Sequence, residues 1–212
     1  RELGQPLGES FEKLAGAERS QAGGEGKAPG LQGQPSGELV GRDGELNFLG
    51  SLLEGHKGRL VTIRGTGGLG KTALARAVLE REDAAFPGGA FFIDLSSLHD
   101  PSLLPIAIAE GIGMNFDGKA RTDIAERLRV RLGTRPSLLV LDNFEQLLEA
   151  RGFVERLIGS CPRLVVLATS REALGLGIET VFDPPPLRAP PAGARILPGE
   201  IGSWPALDLI TR

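Results

Sequence analysis

The sequence predicts an α/β fold in which helices cover both faces of a mainly parallel β-sheet. Several short runs are apolar at nearly every position, which is typical of strands that are buried on both faces. Segments with helical periodicity lie between these runs, as repeated strand–helix–strand units require. A hydrophobic fraction of 41% with 24% charged residues excludes a chain that is disordered throughout. We therefore expect one globular core.

The predicted strands are five segments rich in Val, Ile, Leu and Phe. Short apolar runs of this kind, bounded by turn residues, predict strands rather than helices. The segments are Leu60–Arg64 (LVTIR), Ala90–Leu95 (AFFIDL), Ser137–Leu141 (SLLVL), Leu164–Ala168 (LVVLA) and Ile178–Phe182.

The predicted helices have apolar residues spaced three or four positions apart. The first carries Leu46, Leu49, Leu52 and Leu53 on one face and ends near Gly55. The second is predicted over Lys71–Arg81, with Ala73, Leu74, Ala77 and Val78 facing inward. Further helical patterns cover Leu103–Glu110, Ile124–Leu132 and Ser203–Arg212.

The composition divides the chain into three parts. Residues 1–38 hold 9 of the 31 glycines, which predicts a flexible linker, although Leu3, Leu7, Phe11 and Leu14 have the spacing of a short helix. Residues 39–183 form the predicted domain. Residues 184–212 form a proline-rich exit followed by the first helix of a truncated helical subdomain. The chain opens on Arg1 and its one methionine is Met114, so we expect a segment of a longer protein.

Charge and residue content exclude several classes of function. The net charge of −3 and the pI of about 5.6 give no basic surface for direct nucleic-acid binding. One cysteine, Cys161, excludes an internal disulfide and favours a reducing compartment. No apolar run reaches the roughly 18 residues of a membrane span. We expect a cytoplasmic protein with no membrane contact.

The segment GTGGLGKT matches the phosphate-binding P-loop pattern in full. Its glycines let backbone N–H groups converge on phosphate oxygens, and the helix that follows presents its positive end. The lysine then reaches the β- and γ-phosphates, and the threonine ligates Mg²⁺. The motif lies between a predicted strand and a predicted helix, as this mechanism requires. Its residues are Gly65, Thr66, Gly67, Gly68, Leu69, Gly70, Lys71 and Thr72.

Asp142 follows the third predicted strand, in LLVLDNFEQLL. At the carboxyl edge of a parallel sheet, beside the P-loop, this carboxylate would hold Mg²⁺ directly or through water. The alternative is a simple helix N-cap. About 70 residues after a P-loop, we favour the Mg²⁺ role.

Arg171 follows the fourth predicted strand, after Thr169 and Ser170. From the same edge it could contact a γ-phosphate through a charge-assisted hydrogen bond. Spacing alone also allows a surface arginine.

Five ordered segments together resemble the nucleotide-binding domain of the NB-ARC/AP-ATPase group of STAND signalling ATPases. They resemble in particular the ATPases of bacterial regulators of the SARP and LuxR types. The resemblance runs from about Leu39 to Leu187, with a weaker likeness in WPALDLITR. The segments are LVGRDGEL, RLVTIRGTGGLGKTALA, FFIDLSSLHDPSLLPIAIAEGIG, SLLVLDNFEQLLEA and RLVVLATSREALGLGIETVFDPPPL.

The resemblance implies a P-loop NTPase three-layer sandwich, with a five-stranded sheet in the order 5-1-4-3-2. It also implies that Val40 and Arg42 line the adenine side, that Gly65 to Ala73 hold the phosphates, and that Thr72 and Asp142 hold Mg²⁺. Lys71, Asp142 and Arg171 would form the catalytic set of a weak ATPase. Arg171 would distinguish ATP from ADP, and the ATP-bound form would assemble with other copies under the control of other domains.

Asn143 departs from the pattern of strongly hydrolytic P-loop proteins, which carry Glu directly after the strand Asp. An amide cannot act as a base, so hydrolysis should be slow unless Glu145 or another group substitutes. The leading hypothesis is an ATP/ADP switch with slow Mg²⁺-dependent hydrolysis in a signalling or transcriptional regulator. The alternative is a non-hydrolysing interaction module in which ADP is a structural plug.

A small-molecule kinase of the P-loop class is a third hypothesis. Such an enzyme would need a lid that is rich in arginine. Arginines cluster between residues 121 and 135, but their spacing suits the solvated side of a helix better. They are Arg121, Arg127, Arg129, Arg131 and Arg135.

Overall fold

The computed structural model describes residues 39–54, 58–115, 123–191 and 193–211. Within them, five strands form one sheet in the order β2-β3-β4-β1-β5, and every neighbouring pair is parallel. This confirms the predicted α/β fold and the strand order. The strands are β1 (Leu60–Arg64), β2 (Ala90–Asp94), β3 (Ser137–Asp142), β4 (Leu164–Ser170) and β5 (Glu179–Phe182).

The helices alternate with the strands along the chain, as parallel pairing requires. Those of the described residues are α1 (Asp43–Leu53), α2 (Lys71–Glu82), α3 (Leu104–Gly111), α4 (Ile124–Gly133), α5 (Arg151–Ser160) and α6 (Pro205–Thr211). Longer 3₁₀ segments cover Phe144–Ala150, before α5, and Pro198–Ser203, before α6. None of these helices has both the length and the apolar character needed to cross a bilayer.

Two apolar cores lie on opposite faces of the sheet. Successive residues of a strand point to opposite faces, so Leu138 and Val140 pack with α1 and α2. Leu139 and Leu141 pack on the other face with α3, α4 and α5. The apolar runs are therefore continuous because both faces are covered, which is the three-layer arrangement that the sequence predicts.

Burial decreases from the centre of the sheet to its edge. All residues of β3 and β4 are buried, whereas none of the four residues of the edge strand β5 is. Strand β5 begins at Glu179, one residue later than predicted, because Ile178 belongs to the preceding turn and is 45% exposed. The Glu179 carboxylate accepts N–H groups of that turn, from Leu174 and Gly175.

Two details of the predicted helices are wrong. Ala73 is exposed, because the buried face of α2 is formed by Leu74, Ala75, Val78 and Leu79 instead. Helix α5 was not singled out as a helix in the sequence, since its apolar spacing is interrupted by Gly152 and Gly159. The predicted linker and helix within residues 1–38 lie outside the described residues.

Replacing one buried valine and one exposed valine tests the assignment of the core. Val140 in β3 is fully buried, whereas Val130 in α4 is 56% exposed. We expect Val140→Ala to lower the free energy of unfolding by about 2–3 kcal/mol, since it removes buried methyl groups and leaves a cavity. Val130→Ala should change it by less than about 0.5 kcal/mol. Urea denaturation measures both; equal effects would contradict this burial pattern.

Candidate nucleotide site

The P-loop connects β1 to α2 in a backbone conformation that glycine makes possible. Gly68 and Gly70 have φ angles of 83° and 77°, in the left-handed region that side chains disfavour. Lys71 opens α2 and folds back over the loop, where its Nζ donates to the carbonyl oxygens of Gly65 at 2.8 Å and Thr66 at 3.1 Å. The predicted strand–loop–helix context of the motif is therefore present.

Thr72 and Asp142 meet across the carboxyl edge of the sheet. The Thr72 hydroxyl lies 3.0 Å and 2.9 Å from the two carboxylate oxygens of Asp142. Asp142 is the last residue of β3 and is 2% exposed. The structure thus brings together two residues that the sequence predicts as Mg²⁺ ligands.

Thr169 holds the same carboxylate from the neighbouring strand β4. Its hydroxyl donates to Asp142 Oδ1 and accepts the backbone N–H of Asn143 at 3.0 Å. Burial raises the pKa of the Asp142 carboxyl, and the hydrogen bonds from Thr169 and Thr72 oppose that rise. The threonines therefore orient this carboxylate and favour its ionised form.

Asn143 follows β3 with a φ of 63°, a left-handed conformation that asparagine tolerates better than most residues. Its Nδ2 lies 3.2 Å from Asp142 Oδ2 and 3.2 Å from Asp94 Oδ1. Partial burial works against ionisation of Asp94, but hydrogen bonds from Ser96 and Asn143 hold the pKa of that carboxyl below its usual value. The amide thus bridges two carboxylates.

Arg171 lies at the same edge, directly after β4. Its Nε pairs with Glu145 Oε1 at 3.1 Å, and its Nη2 is 3.9 Å from the position that a Cβ on Gly67 would occupy. The Arg171 side chain is 67% exposed, whereas that of Glu145 is 18% exposed. The arginine is therefore beside the P-loop and open to solvent, with its guanidinium oriented by a more buried carboxylate.

Arg42 lies behind the P-loop and is 4% exposed. Its guanidinium donates to Leu69 O at 3.2 Å, to Pro185 O at 2.5 Å and to Glu45 at 2.7 Å. Val40 is half-buried in the turn that precedes α1. Arg42 thus contacts both the P-loop and the chain that leaves the sheet, through Nη1 and Nη2.

A family model described as an AAA domain matches residues 54–174, more than half of the chain. The chain belongs to the AAA domain family. It therefore carries an AAA-type ATPase domain, for which the family implies a nucleotide and typically Mg²⁺. Thr72 and Asp142 fit that metal, because a hydroxyl and a carboxylate held together supply the oxygen ligands that Mg²⁺ takes.

Curated relatives of this AAA domain include much longer proteins. A protein of Mycobacterium tuberculosis named "Putative HTH-type transcriptional regulator" is 37% identical over 129 residues, which are 60% of this chain and 14% of the relative. The disease resistance protein RRS1 of Arabidopsis thaliana is 31% identical over 115 residues, 54% of this chain and 9% of that protein. The chain thus corresponds to a small part of the proteins it resembles.

Among solved structures, a chain of the Drosophila ORC bound to DNA has the same fold as this AAA domain. The TM-score is 0.53 at 20% identity, over 67% of this chain and 42% of that chain. A likeness at this identity supports the fold alone.

Two of the arginines of the hypothetical kinase lid, Arg129 and Arg131, have structural contacts in the AAA domain. Arg129 pairs with Glu126 on the surface of α4. Arg131 donates to Gly88 O at 3.0 Å and lies over the ring of Phe91. Arg121 lies outside the described residues. The described contacts favour the helix-surface interpretation over a lid.

Two polar residues near Asp142 were not predicted as part of the site, Asp94 and Thr169. Asp94 ends β2 as Asp142 ends β3, and the two are register partners. An apolar strand that ends in Asp is therefore the sequence signal that could have identified Asp94. The sequence indicates only that Thr169 lies near the end of a strand, because sequence alone does not reveal a contact across the sheet.

Thr169→Val tests whether this hydroxyl supports the Asp142 carboxylate. Valine has nearly the same shape but neither donates to Asp142 nor accepts from Asn143. We expect a loss of about 1–3 kcal/mol in the free energy of unfolding, since two buried polar groups lose a partner. Thr169→Ser keeps the hydroxyl and should lose less than half as much. Urea denaturation measures both, and equal losses would mean that only packing matters here.

Proposed function

We propose that the chain is a nucleotide-dependent switch module that binds ATP or ADP with Mg²⁺ and hydrolyses ATP slowly. The contact between Thr72 and Asp142, beside the P-loop lysine, is the observation that carries this proposal. In it, N–H groups of the P-loop receive the phosphates, and Lys71 moves from the loop carbonyls to phosphate oxygens. Thr72 and Asp142 would hold Mg²⁺, which when bound would supply positive charge at the β- and γ-phosphates.

Arg171 supplies the difference between the two nucleotide states in this proposal. Its exposed guanidinium, beside the P-loop and paired with Glu145, could exchange that contact for the γ-phosphate of ATP. A group that contacts only ATP gives the two states different free energies, which is what a switch requires.

The finer proposal is an NB-ARC-like STAND domain that controls a signalling or transcriptional regulator of the SARP or LuxR type. It rests on the five ordered sequence segments and on the relatives, one named as an HTH-type transcriptional regulator and one as a disease resistance protein. Its partners would be other domains of a longer chain and, with ATP bound, further copies. The net charge of −3 argues against direct nucleic-acid binding by these residues. A cytoplasmic location belongs to this proposal.

A non-hydrolysing module with ADP as a structural plug is the second candidate. The amide of Asn143, at the position directly after Asp142, favours it, because an amide cannot accept the proton of an attacking water. The switch and the plug both need nucleotide binding. Either function would therefore use Val40 and Arg42 on the adenine side and Ala73 at the start of α2.

Lys71→Ala tests nucleotide binding itself. We expect the affinity for a fluorescent ADP analogue to fall about 10- to 100-fold, since a charge-assisted hydrogen bond contributes about 1.5–3 kcal/mol. Arg81→Ala, at the exposed far end of the same helix, is the matched control and should bind like the parent chain. Absence of binding by the parent chain, or equal binding by Lys71→Ala, would refute the proposal.

Asp142→Asn distinguishes the switch from the plug. The amide keeps one oxygen that can accept from Thr72 and Thr169 and removes the buried charge, while its NH₂ replaces the acceptor of the Asn143 amide. Urea denaturation of the variant shows that it is folded before its activity is compared. Phosphate release from ATP should fall at least about 100-fold, because the metal loses its anionic ligand.

Asp83→Asn, at an exposed position directly after α2, is the control and should keep the parent rate. Tight ADP binding without any phosphate release by the parent chain would favour the plug. Release that Asp142→Asn leaves unchanged would contradict the assigned site.

A further inference from the structure

Asp94 lies at the carboxyl edge of the sheet, one amide group away from the proposed metal ligand Asp142. Asn143 Nδ2 is 3.2 Å from an oxygen of each carboxylate. Strands β2 and β3 are in register so that Asp94 and Asp142 are direct partners. The fold therefore places a second carboxylate next to the position where an amide has replaced the usual base.

Hydrolysis of the β–γ bond is accelerated by a side chain that orients the attacking water and accepts its proton. The Asn143 amide can orient a water but cannot accept that proton. Within the described residues, the carboxylates around Asn143 are Asp142, Asp94 and Glu145, and these are the candidates for the base.

Asp142 and Glu145 are both engaged elsewhere. The oxygens of Asp142 accept hydrogen bonds from Thr72, Thr169 and Asn143, and the residue is 2% exposed. Glu145 Oε1 pairs with Arg171, and its Oε2 is buried with no hydrogen-bond partner. Neither carboxylate presents an oxygen to a water in an open site.

Asp94 has the geometry that the others lack. Its Oδ1 accepts the backbone N–H of Ser96 at 2.9 Å as well as the amide of Asn143, and these two donors fix the carboxylate. The residue is exposed, and the backbone N–H of Ser96 and the amide of Asn143 both donate to Oδ1 rather than to Oδ2. Oδ1 is thus anchored by two donors, and the exposed carboxylate lies at the edge of the sheet where nucleotide would bind.

We propose that Asp94 is the carboxylate that orients and deprotonates the attacking water, in place of the residue after Asp142. This inference rests on the proposed nucleotide switch. The water oxygen forms a bond to the γ-phosphorus while the bond from that phosphorus to the β–γ bridging oxygen breaks. ADP leaves with the bonding electron pair, and the water proton passes to the Asp94 carboxylate. Because its hydrogen bonds hold the pKa of this carboxyl below its usual value, Asp94 is ionised but is a weak base, which agrees with slow hydrolysis. Asn143 acts as a positioning residue, because its amide holds both carboxylates.

Asp94→Asn tests this role with little change of shape. The new amide keeps an oxygen that can accept from Ser96 and Asn143, so only the charge and the proton acceptor are lost. Asp100→Asn is the matched control, because Asp100 Oδ1 accepts the backbone N–H of Ser102 at 2.9 Å in the same local arrangement, away from Asn143. The measurements are phosphate release from ATP and the affinity for a fluorescent ATP analogue, both with Mg²⁺.

We expect phosphate release by Asp94→Asn to fall about 100-fold or more, the range of general-base catalysis, while nucleotide affinity stays within about threefold. Asp100→Asn should match the parent chain in both. If Asp94→Asn does not fold, Asp94→Glu, which shifts the carboxylate by one methylene, should lower release and leave affinity unchanged.

Three results would overturn the inference. They are normal release by Asp94→Asn, a loss of affinity as large as its loss of release, and a parent chain that binds ATP but releases no phosphate. A large loss of release in Glu145→Gln together with a normal rate in Asp94→Asn would assign the base to Glu145. A parent chain that binds no nucleotide would refute the proposed function itself, so the two failures are distinguishable.

Discussion

The hydrogen bonds between Thr72 and Asp142 join two segments that are 70 residues apart in sequence, and the candidate site depends on them. Strand β4 lies between β1 and β3, so the P-loop must reach over the end of β4 to meet Asp142. Thr169, near that end of β4, donates a further hydrogen bond to the Asp142 carboxylate. The strand order therefore determines which three residues can meet.

A buried carboxylate at this position is costly for the folded chain. Burial raises the pKa of Asp142, and hydroxyl donors from two other elements, Thr72 of α2 and Thr169 of β4, reduce that penalty. Those donors also fix the orientation of the carboxylate before any ligand arrives. A residue that is unfavourable for stability but well oriented is typical of a functional site, because preorganisation lowers the free-energy cost of binding.

The chain that leaves the sheet is connected to the P-loop through two arginines. Arg42, almost fully buried, joins Leu69 O to Pro185 O. Arg64, directly before the P-loop, pairs with Asp183 through two hydrogen bonds. That pair is exposed and screened by water, so the buried Arg42 is the stronger of the two connections. A shift of the P-loop backbone at Leu69 would therefore be transmitted to the residues after β5.

Much of this architecture could be predicted from the sequence, for identifiable reasons. The central strands could be predicted because they are buried on both faces and are therefore apolar at nearly every position. The segment GTGGLGKT could be predicted as a P-loop because its flanking residues have the patterns of a strand and a helix, which are β1 and α2. The exposed position of Ala73 could not be predicted, since alanine fits either face of a helix. Helix α5 could not be predicted because two glycines weaken its apolar pattern. The bridge from Asn143 to Asp94 joins residues 49 positions apart, and only the register of β2 and β3 reveals it.

The proposed function requires one site that holds a divalent cation and a nucleotide together, with the cation at Thr72 and Asp142 and the phosphates at the P-loop. Electron paramagnetic resonance of Mn²⁺, as a substitute for Mg²⁺, tests it by measuring free Mn²⁺ in the presence of the chain with and without ADP. We expect one tightly bound Mn²⁺ per chain in the presence of ADP, in addition to the Mn²⁺ that ADP binds without the chain. We also expect Mn²⁺ to raise the affinity for ADP by the same factor by which ADP raises the affinity for Mn²⁺. Mn²⁺ binding that is the same with and without the chain would contradict the proposed function.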